Sequence, residues 1–175
     1  MSSISKKICL VGNFGVGKTS LIRRFVERQF SDKYLSTVGV KISRKTVELE
    51  QVKQPEKLSV NLLIWDLEGS TKFKAIAPTY LQGASAAILV GDVSRQETIE
   101  HLADHLNLFL SVNPKGFIII ALNKSDLADE EKLAKLLQMS NNYQQAQVLS
   151  IQPTSAKTGQ AVDEIFQKIA YKIIE

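Results

Sequence analysis

Apolar residues fall along the chain in short blocks of two kinds. Ile8 to Val11 is a continuous apolar run of the length of a buried strand. A Gly-rich turn leads from it into Lys18 to Phe30, where Leu21, Ile22, Phe25 and Val26 recur with helical period. Val38 to Val52 and Lys57 to Trp65 alternate apolar and polar positions instead, and the polar turn around Gln54 and Pro55 predicts that they pair as an antiparallel hairpin with an exposed edge. Strand and helix patterns then alternate: Ala86 to Val90 and Thr98 to Leu110, Phe117 to Leu122 and Glu130 to Met139, Val148 to Ile151 and Ala161 to Ile174. Buried runs alternating with amphipathic helices predict a mainly parallel sheet covered on both faces. Ligands of such sheets bind at the carboxyl ends of the strands, where the polar, Gly-containing motifs of this chain fall.

The 175 residues contain no repeat, low-complexity block or linker-like stretch, so residues 1–175 are expected to form one domain. Apolar residues at 44% and charged residues at 23% exclude a disordered, collagen-like or coiled-coil chain. The balance of 22 Lys and Arg against 18 Asp and Glu suits a polyphosphate ligand and is too mild to indicate a nucleic-acid partner. One Cys and two His make neither an internal disulfide nor a structural zinc site, which points to a reducing cytoplasm. No long apolar stretch follows the basic pair Lys6-Lys7 and no apolar run reaches 18 residues, so neither a signal peptide nor a membrane span is expected.

Gly12-Asn13-Phe14-Gly15-Val16-Gly17-Lys18-Thr19 fits G-x-x-x-x-G-K-[ST] between a predicted strand and helix. Asn13, Phe14, Gly15, Val16, Gly17 and the first helical residues through Ser20 would wrap backbone N–H groups around phosphate oxygens, aided by the helix N-terminus. Lys18 would reach the β and γ phosphates, and the Thr19 hydroxyl would coordinate Mg²⁺. At this point kinases, ATPases and GTPases all fit.

Asn123-Lys124-Ser125-Asp126 narrows the choice. An Asp carboxylate only accepts hydrogen bonds, and guanine offers two adjacent donors where adenine offers none. A site built on that pairing rejects the mismatched base by roughly 10⁴-fold or more. Asn123 would contact the base edge and hold neighbouring loops, with the Lys124 stem along the base plane. Thr154-Ser155-Ala156-Lys157 would close the pocket, the Ala156 N–H donating to guanine O6, and Phe30 would pack on the base.

With these motifs the sequence resembles the Ras superfamily of small GTPases, most closely its Rab branch, from Lys6 to Ile174. Phe30 to Val40 resembles the Rab first switch, and Trp65-Asp66-Leu67-Glu68-Gly69 resembles the W-D-T-A-G motif that opens the second. The resemblance implies a three-layer α/β P-loop NTPase fold: a mostly parallel six-stranded sheet with one antiparallel edge hairpin and helices on both faces. It implies GTP/GDP and Mg²⁺ as ligands, Thr37 in the Mg²⁺ shell only with the γ-phosphate present, Gly69 donating its N–H to that phosphate, and Asp66 holding Mg²⁺ through water. Loss of one phosphate would release two loops and so change the surface offered to partners. Tyr34 would lie over the phosphates or simply be an exposed loop residue. Val40, Ile42, Trp65, Phe73 and Tyr80 fall where Rab proteins meet effectors, although a Trp in this place also serves as core.

Departures bear on the hydrolytic step. The family orients the attacking water with a Gln after D-x-x-G, and here that residue is Ser70, whose hydroxyl is too short to reach an in-line water. Glu68 replaces the usual Ala and would place either a base or a repulsive charge near the γ-phosphate. Phe14 stands where relatives carry small residues and would crowd a partner's arginine finger. With Lys18 and Gly69 completing the catalytic set, the expectation is a switch that hydrolyses GTP slowly, reset with help from exchange factors and GTPase-activating proteins. The alternative is a hydrolysis-deficient, GTP-bound interaction module.

The chain stops at Lys172-Ile173-Ile174-Glu175, its only Cys is Cys9, and Ser2 stands in place of Gly, so no lipid anchor is expected in this chain; a monomer is expected. His101 and His105 stand one helical turn apart, but no third metal ligand is evident. Cys9 reads as core, and Arg23-Arg24 as a solvated helix face.

Overall fold

The computed structural model describes residues 2–33, 37–50, 57–71 and 74–175. The strands among these are β1 (Ser2–Gly12), β2 (Val40–Leu49), β3 (Leu58–Leu67), β4 (Ala86–Asp92), β5 (Phe117–Asn123) and β6 (Val148–Pro153). They form one sheet in the order β2-β3-β1-β4-β5-β6, antiparallel between β2 and β3 and parallel elsewhere. The expected mainly parallel sheet with one antiparallel edge pair is therefore the architecture the chain adopts. The helices are α1 (Lys18–Glu27), α2 (Gln96–Glu100), α3 (Leu102–Val112), α4 (Glu130–Ser140) and α5 (Val162–Lys172).

Successive residues of a strand point to opposite faces, and β1 shows the result. Ile8 and Leu10 join the core beneath α1 and α5, whereas Cys9 and Val11 join the core beneath α2, α3 and α4. Both faces are buried, which is why the central strands read as unbroken apolar runs. Phe25 of α1 and Phe166 of α5 stack with ring centroids 4.1 Å apart, joining the two helices on one face.

Two helix readings change. The periodic segment expected to run to Phe30 ends at Glu27, because Arg28 turns left-handed at φ 59° and donates its N–H to the carbonyls of Arg23 and Arg24. The single helix expected over Thr98 to Leu110 starts at Gln96 and is interrupted at His101, so that α2 and α3 are separate. The apolar positions Ile99, Leu102, Leu106 and Phe109 run through the break, which hides it from periodicity. Among the described residues no helix is long and apolar enough to cross a membrane.

Candidate functional site

The carboxyl ends of β1, β3 and β5 open onto a cleft of about 290 Å³. Its floor is the loop from Gly12 to the start of α1. Gly17 has φ 103°, a left-handed conformation, and a Cβ there would collide with the Asn123 side-chain nitrogen, so both backbone conformation and close approach require glycine. Lys18 is 6% exposed, and its Nζ donates to the carbonyl oxygens of Gly12 at 3.1 Å and Asn13 at 2.9 Å. Burial pushes the Lys18 ammonium down to about 8, with Asp66 opposing that shift and Arg95 adding to it.

Three oxygen-bearing side chains meet beside this lysine. Thr19 Oγ1 lies 2.7 Å from Thr37 Oγ1 and donates to Asp66 Oδ2 at 2.5 Å, and Thr37 Oγ1 donates to the same oxygen at 3.3 Å. Asp66 Oδ1 is buried without a hydrogen-bond partner. Burial raises the Asp66 carboxyl, against hydrogen bonds from Thr19 and Thr37 and the charge of Lys18. A buried carboxylate oxygen with no donor, next to two hydroxyls, is a donor set that fits a hard divalent cation such as Mg²⁺.

At the other end of the cleft, Asn123 is 1% exposed and spent on holding loops together: Nδ2 donates to Val16 O at 3.0 Å, and Oδ1 accepts from Thr154 Oγ1 at 3.1 Å. Lys124 Nζ donates to Gly15 O at 2.9 Å and pairs with Asp92 Oδ2 at 2.9 Å. Burial alone would raise the Asp92 carboxyl, but the bonds from Ser94 and Lys124 outweigh it and hold the group below its ordinary range. Ser155 Oγ donates to Asp126 Oδ1 at 2.7 Å, aiming that carboxylate. Arg24 reaches from α1 to this loop: its Nε donates to Ala156 O at 2.7 Å and its Nη2 to Lys157 O.

Of the expected site residues, Phe14, Gly15, Gly17, Lys18, Thr19, Ser20, Phe30, Thr37, Gly69, Asn123, Lys124, Asp126, Ala156 and Lys157 line the cleft. Six others do not, each for a visible reason. Val16 is fully buried in the core and offers only its carbonyl, to Asn123. Ser155 is fully buried behind Asp126. The Asn13 carboxamide turns away to His101 and His105, and Ser70 Oγ donates to Asn13 Oδ1 at 3.1 Å. Glu68 was expected near the phosphates, yet its Oε2 accepts from the Gly39 N–H at 3.2 Å and pairs with Lys74 at 2.6 Å, so the carboxylate joins the ends of two loops. Asp66 stands behind Thr19 in the cation corner rather than in the cleft wall. Tyr34 and Phe73 lie outside the described residues.

The remaining partner candidates form a surface around the sheet's antiparallel edge. Ile42 is directly opposite Trp65 in the β2–β3 register and half exposed, with Val40 beside it and Tyr80 exposed on the turn Pro78–Leu81. Lys7 Nζ lies 3.6 Å from the Trp65 ring centroid and donates to Gln82 O at 2.8 Å. Cys9 is a buried core residue, its thiol pushed up to about 12 by burial.

Sequence reasoning missed Leu127 in the cleft wall, Asp92 beneath Lys124, and Arg24 on the base-side loop. Nothing local marks Arg24 as other than a solvated helix residue, its partners being 132 and 133 residues away.

A sequence model of the Ras family matches residues 7–175. GTP-binding protein ypt5 of Schizosaccharomyces pombe is 35% identical over 172 residues, which cover 98% of this chain and 79% of that protein. Ras-related protein RABF2b of Arabidopsis thaliana is 36% identical over 98% of this chain and 82% of its own length. Ras-related protein Rab-22A of Mus musculus is 33% identical over 95% and 82%. With the sheet order, the cleft at its carboxyl edge and these relatives in agreement, the chain belongs to the Ras family of small GTPases, in its Rab branch.

Proposed function

We propose that this chain is one G domain that binds GTP and GDP with Mg²⁺, hydrolyses GTP slowly, and signals by the conformation of the loops around Thr37 and Gly69. The observation that carries this reading is the joining of a phosphate loop and a base loop across one cleft: Asn123 and Lys124 bond to Val16 and Gly15, so both ends of a nucleotide would be gripped by one rigid unit. Lys18 would offset phosphate charge, and the Gly17 and Lys18 end of α1 would add N–H donors. Asp126 would accept from the two guanine donors, and Ala156 would donate to O6.

Thr19 and Thr37 would hold Mg²⁺ directly, with Asp66 behind a water, and the unpartnered Asp66 Oδ1 supports that role. The ion would bridge and neutralise phosphate oxygens. Effectors, exchange factors and GTPase-activating proteins would read Val40, Ile42, Trp65 and Tyr80.

Slow hydrolysis is supported by two residues. Ser70 Oγ–H is committed to Asn13, so it is not aimed at an attacking water. Phe14 is 43% exposed at the mouth of the cleft, where it would crowd an incoming arginine. Freshly purified protein should carry guanine nucleotide, and single-turnover hydrolysis should be faster in the Phe14→Gly, Ser70→Gln double variant than in wild type. Bound nucleotide that is not guanine would overturn the binding reading. A double variant no faster than wild type would overturn the account of slow turnover, and wild type loaded mostly with GTP would favour the long-lived interaction module.

A further inference from the structure

His101 and His105 lack a third metal ligand: among the described residues no three His, Cys, Asp or Glu side chains cluster so as to hold a metal ion. Both rings are committed to one carboxamide. Asn13 Nδ2 lies 2.6 Å from His101 Nδ1, and Asn13 Oδ1 lies 2.9 Å from His105 Nε2. An amide nitrogen only donates and an amide oxygen only accepts, so with this amide orientation His101 Nδ1 is the acceptor and His105 Nε2 carries the proton. Asn13 Oδ1 also accepts from Ser70 Oγ, so the two ends of the carboxamide are held by α3, the α2–α3 junction and Ser70.

The chain of contacts continues through the backbone. Ser70 N–H donates to Gly12 O at 3.2 Å, and Phe14 N–H donates to Ser70 O at 2.9 Å, a short parallel bridge between the phosphate loop and the segment after β3. Gly69 is pressed onto the same loop: a Cβ there would stand 2.5 Å from Phe14 Cα, closer than side chains tolerate. A helix on one face of the sheet therefore fixes, through one buried imidazole and one amide, where Gly69 and Ser70 stand. His105 is 6% exposed, and burial, with Lys18 and His101 nearby, pushes its imidazole down to about 4, so it acts as a neutral donor.

We propose that His105, acting through Asn13, is a positioning residue that sets Ser70 and with it the Gly69 N–H against the phosphate loop, selectively retaining nucleotides that carry a third phosphate. The proposal rests on the reading of the cleft as a guanine-nucleotide site with Gly69 at the γ-phosphate. On that reading a diphosphate would leave Gly69 uncontacted, so the two nucleotide classes separate this role from general stability.

The test follows dissociation of mant-GDP and of the non-hydrolysable mant-GppNHp, alongside hydrogen exchange of the Phe14 and Ser70 amides without added nucleotide. His105→Leu should release mant-GppNHp about five- to tenfold faster, the scale of one net hydrogen bond, while mant-GDP stays within about twofold. His105→Gln, which keeps an N–H donor, should restore retention. Ser70→Ala should act in the same direction and add nothing to His105→Leu, since the two share one path. Exchange at Phe14 and Ser70 should rise in His105→Leu and return in His105→Gln. Equal acceleration of both nucleotides, tighter holding of mant-GppNHp, additive effects, or unchanged exchange would each overturn the proposal. If wild type holds neither nucleotide, the guanine-nucleotide reading fails, and the exchange measurement still decides whether His105 holds the bridge.

Discussion

Lys18 buries an ammonium against two carbonyl oxygens, and desolvation is the main reason that its pKa falls from 10.5 to about 8. The unfolded chain then binds the extra proton more readily between those values, so this group makes stability rise with pH across about 8 to 10.5, and its penalty is present in full below about 8. Nucleotide-stripped Lys18→Met should accordingly be more stable than wild type by about 1–3 kcal/mol at pH 7, with a flatter dependence on pH above 8 in urea titrations. The same variant should lose nucleotide if, as proposed, the buried charge serves to offset phosphate. The placement of Lys18, Thr19 and Asp126 at the cleft was legible from spacing within short motifs, and that of Asp66 beside Thr19 from the resemblance. Asn13, Arg24 and His105 were not: their hydrogen-bond partners lie 57 to 133 residues away, and only the closed sheet brings them together.

Among the elements, α1 touches both ends of the cleft. Its first turn follows the phosphate loop, and Arg24, a turn and a half further on, holds the carbonyls of Ala156 and Lys157. Arg24→Ala frees the carbonyls just after the Ala156 N–H, and so loosens the loop that would present that N–H to guanine O6. It should speed release of GDP and GTP alike, by roughly fivefold to twentyfold, as expected for lost charge-assisted bonds. Equal effects on both nucleotides would distinguish this contact from the His105 path, which discriminates between them. Strand and helix identities were readable from period, whereas helix ends were not. Arg28 caps α1 in a left-handed conformation that no Gly announces, and His101 interrupts an apolar stripe that continues through it.

On the scale of the whole molecule, two cores lie on either side of one sheet, and the site spans strands that both cores support. The stacked Phe25 and Phe166 rings connect α1 to α5 at the centre of one core. Phe25→Ala should destabilise the fold by about 3–5 kcal/mol in urea or thermal unfolding, the range for loss of a buried aromatic side chain. The mainly parallel, doubly covered sheet was foreseeable from continuous apolar runs on the central strands, and the antiparallel edge from the alternation in β2 and β3. What periodicity cannot carry is how tightly loops from opposite ends of the sequence are tied.

The Lys7 ammonium above Trp65 has a consequence in optics. This is the chain's single Trp, so all its indole emission originates at one position on β3, opposite Ile42 and near the loop that follows Leu67. A positive charge 3.6 Å from the ring centroid, itself tethered to Gln82 O, makes the emitting state responsive to small displacements of that neighbourhood. Unlabelled protein thus carries its own fluorescent reporter at the surface where its loops would change, and Lys7→Met should shift the emission maximum without touching the cleft.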